Sequence, residues 1–234
     1  MSANPTPILD PRVVPVIGFD AHLPAVPLAR LDEAALRERF THPAPWMPMF
    51  AGDGARPGLQ RAPAAASVLV PLVVRADGLH VLLTQRTDHL RDHAGQISFP
   101  GGRAEPGEDD PALTALREAE EEVGLTRSQI EVIGCMPAYT TVTSFVVTPV
   151  VALIRPPLAL KLDPFEVAEA FEVPLSFLMT PAHHRRHRFE VEGQQRHFLS
   201  MPWRVEGADA QVREYFIWGA TAAMLRNLYH FLAA

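Results

Sequence analysis

The chain has 234 residues, 47% of them hydrophobic and 21% charged, with a formal net charge of −6. That length suits one domain with a sizeable core, and the acidic balance gives no reason to expect a broad basic surface for nucleic acid. Cys135 is the only cysteine, which excludes an intrachain disulfide and a cysteine-based zinc site. Its neighbours Val132, Ile133 and Met136 predict a buried, inert thiol. The N-terminus lacks the basic start and unbroken apolar core of a signal peptide. The longest apolar run, 145–154, is half the ~20 residues of a spanning helix. The expectation is a cytoplasmic protein with no membrane partner.

In chain order, residues 1–30 are proline-rich and read as an extended arm. Asp32 then caps a short amphipathic helix carrying Leu36 and Phe40, and 51–66 is rich in Gly, Pro and Ala, as a linker would be. The predicted organisation is therefore an arm, short helix and linker over 1–66, followed by the domain proper over 67–234. Segments 67–74 and 79–84 predict a hairpin about Asp77-Gly78. A loop-like passage leads to Gly101-Gly102, then a helix, then strands at 130–136, 145–153 and 167–173. A short hairpin is expected about Glu192-Gly193, a strand at 214–218 and an apolar helix at 220–232. The interleaving predicts a mixed α/β sandwich rather than a regular β-α-β series.

The helix after the glycine pair carries the chemistry. Asp110-Pro111 is a strong start signal and Gly124 a stop signal. At ~100° per residue, Glu118, Glu121 and Glu122 share an arc of about 100°, while Glu120 points elsewhere. Arg117 stands at i,i+4 to Glu121, where it can hold that carboxylate. A solvated acidic face is the ordinary reading of such a run. Three features argue against it here: repelling glutamates one turn apart, glycines upstream spaced to wrap a phosphate chain, and a helix that stops just past the acids. Oxygen-only ligands of this kind favour Mg²⁺ or Mn²⁺ over zinc or copper.

The segment from Arg117 to Leu125 resembles the second half of the Nudix hydrolase signature, G-x5-E-x7-R-E-U-x-E-E-x-G-U, position for position. Gly102 to Arg117 is one residue longer than the general pattern, so either Glu108 or Asp109 takes its early acidic position. Upstream, Leu82-Leu83-Thr84, Arg86, Arg91, Gly95 and Phe99-Pro100-Gly101-Gly102 are similar to the element of Nudix coenzyme A diphosphatases, with Thr87 where that group has Ser or Ala. The resemblance implies a Nudix-type α/β/α sandwich with a mixed β-sheet. It implies Mg²⁺ or Mn²⁺ on Glu118, Glu122 and Glu121, with Arg117 orienting the acids and Gly101-Gly102 abutting the phosphates. It also implies hydrolysis of coenzyme A or a derivative to 3′,5′-ADP and a 4′-phosphopantetheine product. ADP-ribose or another nucleoside diphosphate derivative is the alternative substrate, and a catalytically silent nucleotide sensor the alternative class. A homodimer is left open.

Outside the signature, Arg86 and Arg91 read either as phosphate ligands or as surface ion pairs. If 167–173 is a strand, Glu169 shares the apolar face of Val167 and Phe171, where a lone carboxylate is costly. Glu169 is thus a fourth acidic group and, with Glu121, a candidate general base. The basic run 183–188 reads as a solvated loop first, with contact to an extra phosphate on a nucleotide ribose as the alternative.

Overall fold

In the computed structural model, β2 (Ala64–Arg75) and β3 (Gly78–Arg86) form the expected hairpin, closed where Arg75 pairs with Gly78. The residues described are 10–53, 62–89, 95–191, 193–206 and 211–234. Along its other side β2 pairs in parallel with β8 (Phe145–Ile154), from Ala64 opposite Phe145 to Val73 opposite Ile154. A parallel partner requires a long crossover. Here the crossover includes β4 (Ile97–Ser98), β5 (Gly101–Arg103), α2 (Pro111–Val123), β6 (Ile130–Cys135) and β7 (Tyr139–Thr140). With β9 (Val167–Pro174) against β3, these strands make one eight-stranded mixed sheet. Both β2 and β8 are almost continuously apolar because they are covered on both faces.

Leu69, Val73, Leu82, Val150, Ala152, Ile154 and Ala170 face α2 and enclose its Ala115, Ala119 and Val123. The opposite face, with Val70, Leu72, Val81, Leu83, Val151 and Leu153, packs on α1 (Glu33–Thr41) through Leu36 and on α3 (Gly219–Ala233) through Leu225 and Leu228. The architecture is an α/β/α sandwich. A second, antiparallel sheet orders β1 (Val16–Phe19), β10 (Arg185–Val191), β11 (Gln194–Glu206) and β12 (Val212–Trp218). No helix among the described residues is long and apolar enough to cross a membrane.

Residues of the expected arm and short helix pack on the sheets, and β2 already begins at Ala64, inside the stretch expected to be a linker. Val26, Leu31 and Leu36 join the main core, and buried Asp20 meets Arg186 at 2.6 Å and Arg226 at 3.2 Å. Three local expectations change. The basic run is not a solvated loop: most of it is strand β10, and His184 and His187 are buried. The ring of His184 donates from Nε2 to the Leu178 carbonyl and accepts at Nδ1 from Arg226, each at 2.8 Å. Cys135, expected inside, is exposed at the end of β6. The short hairpin about Gly193 is longer than expected, because β11 continues to Glu206 to pair with β12.

Candidate active site

Helix α2 forms as its caps dictate. Asp110 Oδ1 accepts from the Ala112 amide at 2.9 Å, Pro111 fills the first turn, and Gly124 ends the helix at φ 74°, donating to Ala119 and Glu120. Burial of Ala115, Ala119 and Val123 against the sheet sets the helix rotation. Glu122 is thereby carried inside (4% exposed), Glu118 to the boundary, and Glu121 to the surface.

Arg117 ties the acids together. Its Nε donates to Glu108 Oε1 at 2.9 Å, its Nη1 to Glu118 Oε1 at 2.8 Å and Glu121 Oε2 at 2.9 Å, and its Nη2 to the Arg103 carbonyl at 3.1 Å. The early acidic position is therefore Glu108, not the exposed Asp109. Glu108 also accepts from Thr114 and the Glu105 amide. Arg117 first, then those two donors, hold its carboxyl down at about 2.

The two inner carboxyls both shift the other way from Glu108. Burial pushes Glu122 up to about 8. Arg86 and the backbone of Gly101 counter that, while Glu166 and Glu118 add to it. Burial likewise raises Glu118, against the pull of Arg117. Arg86, at the end of β3, lies 4.0 Å from Glu122 Oε1 and 3.8 Å from Glu166 Oε2.

Glu166 arrives on a turn bonded to both elements. The Asp163 amide donates to the Glu122 carbonyl at 2.9 Å, and the Thr87 amide to the Glu166 carbonyl at 3.0 Å. Sequence reasoning placed the fourth acid at Glu169, and the structure places that residue elsewhere. Glu169 follows the face of Phe171 and Val173, away from α2, and accepts from Tyr215 Oη at 2.8 Å and Arg213 Nη1 at 3.0 Å. Ala170, one residue on, faces α2 instead, and Glu166 lies on the turn just before β9. The spacing of Glu166, Glu169 and Glu172 was the one available signal, and it does not say which acid faces α2.

The glycine pair also has a use that the motif did not reveal. A Cβ on Gly101 would stand 2.6 Å from Val68 Cα, and one on Gly102 would stand 2.6 Å from Glu118 Cδ. The missing side chains admit β2 and the Glu118 carboxylate. Arg91, read as a phosphate ligand or a surface ion pair, lies outside the described residues.

No three His, Cys, Asp or Glu side chains among the described residues form a ready metal cage. The donors nonetheless fit a hard divalent cation. Glu118 and Glu122, with Glu166 nearby, would offer only carboxylate oxygens, their charges disfavour one another, and Mg²⁺ commonly keeps water and substrate phosphate in its shell rather than a full protein cage.

One buried carboxylate and its neighbours on a single helix, ordered by an arginine against a mixed sheet, are suited to holding a divalent ion against a phosphate anhydride. The NUDIX domain family matches residues 63–191, and the chain belongs to that family. The Uncharacterized Nudix hydrolase NudL of Shigella flexneri serotype 5b (strain 8401) is 40% identical over 178 residues, covering 74% of this chain and 86% of that protein. The protein of the same name from Escherichia coli (strain K12) is 41% identical over 165 residues, covering 70% and 80%. Among solved structures, a C. elegans Ap4A hydrolase binary complex superimposes with a TM-score of 0.43 and 24% identity, over 50% of this chain and 85% of that one. Nudix hydrolases generally use divalent ions such as Mg²⁺ or Mn²⁺.

Proposed function

We propose that this Nudix hydrolase cleaves the diphosphate of coenzyme A or a derivative, yielding 3′,5′-ADP and a 4′-phosphopantetheine product. The observation that carries the reading is the position of Arg86. It belongs to the upstream element that resembles coenzyme A diphosphatases, it sits between Glu122 and Glu166, and its amide donates to the Gln96 carbonyl just ahead of β4.

In this reading Glu118 and Glu122 would hold Mg²⁺ or Mn²⁺, with Glu121 reaching from the rim; the ion supplies charge neutralisation at the diphosphate and a more acidic water. Arg117 fixes Glu118 and Glu121 in place and is itself fixed by Glu108. Arg86 donates to phosphate oxygens, and the backbone of Gly101-Gly102 borders the same space. Glu166, rather than Glu169, accepts the proton of the attacking water. The water oxygen bonds to phosphorus, the bridging P–O bond breaks, and the other phosphate leaves with its electron pair.

Product analysis with coenzyme A, ADP-ribose, NADH and oxidised dGTP, each with Mg²⁺ or Mn²⁺, tests the reading. Release of 3′,5′-ADP from coenzyme A is expected. Turnover of ADP-ribose alone would replace coenzyme A with the alternative substrate. Binding of these compounds without turnover of any would favour the sensor.

A further inference from the structure

Phe165 stands next to Glu166 in sequence and is 74% exposed. A single exposed apolar side chain is ordinary in itself. The setting of this one is not, because its backbone is fixed on both sides. Its amide donates to Asp163 Oδ1 at 2.8 Å and its carbonyl accepts from Thr87 Oγ1 at 2.8 Å. Asp163 in turn holds the Glu122 carbonyl through its own amide and receives the amides of Glu166 and Val167. The turn that positions Glu166 beside Arg86 and Glu122 therefore also fixes the base of a solvent-facing aromatic ring.

We propose that Phe165 is a substrate-binding residue that stacks on the heterocyclic base of the nucleotide substrate. The inference rests on the nucleotide reading of the site and deepens it by assigning the base a position. Neighbouring Cα atoms are about 3.8 Å apart, so the ring springs from beside the proposed proton acceptor. In a nucleoside 5′-diphosphate only the ribose separates the base from the first phosphate. A diphosphate between Arg86 and the acids thus places a base within reach of an aromatic side chain anchored one residue from Glu166. Stacking suits an open ring because every base offers a π-face.

The test compares wild type, Phe165→Ala and Phe165→Trp on the nucleotide the enzyme hydrolyses. Inhibition by ADP and by inorganic pyrophosphate is measured in parallel. The Ala variant should raise KM and weaken ADP inhibition about tenfold. It should hold kcat within about twofold and leave pyrophosphate inhibition unchanged, because pyrophosphate has no base; Trp should restore KM. An unchanged KM, or equal losses for ADP and pyrophosphate, overturns the proposal. So does a shift of the Ala variant to a smaller species in sedimentation, which would assign the ring to a subunit contact. Failure on coenzyme A with turnover of another nucleotide removes only the substrate reading, and the comparison proceeds on that nucleotide. If nothing is turned over, calorimetric binding of ADP and pyrophosphate by the three proteins separates the same outcomes: selective loss of ADP affinity in the Ala variant supports stacking, and unchanged ADP affinity overturns it.

Discussion

Gly102 and Glu118 share one space: a methyl group on Gly102 would lie 2.6 Å from the carboxylate carbon of Glu118. That carboxylate is the end of a flexible side chain, so Gly102→Ala should displace it rather than unfold the protein. A displacement of about 1 Å in a catalytic group can cost on the order of 10²-fold. Activity of the variant should fall at least roughly tenfold, with a melting temperature within a few degrees of wild type. Full activity would show that the position of Glu118 is not critical.

Glu166 and Glu169 are three residues apart and face different partners. Glu166→Gln should lower kcat by about 10²-fold or more, as loss of a general base does. Glu169→Gln should keep activity within a few-fold and cost about 1 kcal/mol or less of stability, since its pair with Arg213 is half-exposed. Parallel kinetics and urea melts decide this, and the opposite assignment of losses would return the role to Glu169.

Glu122 is a buried carboxyl held up at about 8. Without divalent ion, its charge opposes folding above the ordinary carboxyl range, so Glu122→Gln should melt no lower than wild type at pH 8, or higher. The same variant should lose most turnover and most of the stabilisation that added Mg²⁺ confers on wild type. A variant that retains near-normal rates would remove Glu122 from the site.

His184 is held neutral. Burial is the main cause of its depression to about 4, and Arg226 donates to its Nδ1. The unfolded ring takes up a proton below its ordinary 6.5, whereas the folded ring does so only below about 4. The contribution of this group to stability is therefore complete above pH 6.5, falls as pH drops through that window, and levels off below about 4. Urea midpoints between pH 4.5 and 7.5 should slope less in His184→Gln than in wild type. Taking the difference between the two proteins cancels the opposite-signed titration of Glu122. Parallel curves would mean that His184 does not titrate in this window.

What could be read from the residues alone was what depends on near neighbours. The span of α2, its Asp110 and Gly124 caps, the shared arc of Glu118 and Glu122, and the contact of Arg117 with Glu121 all follow from helical spacing and backbone chemistry within one segment. The hairpin at Gly78 and the apolar runs of β2 and β8 were legible for the same reason. Only the tertiary structure decided which distant groups meet those acids. The choice of Glu108 over Asp109 depends on where Arg117 points, and the use of Gly102 depends on α2 lying against β5. The choice of Glu166 over Glu169 depends on which face of β9 meets α2 and on the turn that sets Glu166 beside Arg86. Helical geometry is set by the chain's own hydrogen bonds. Strand register and face are set by a partner strand, and for β9 that partner, β3, lies far upstream in the chain.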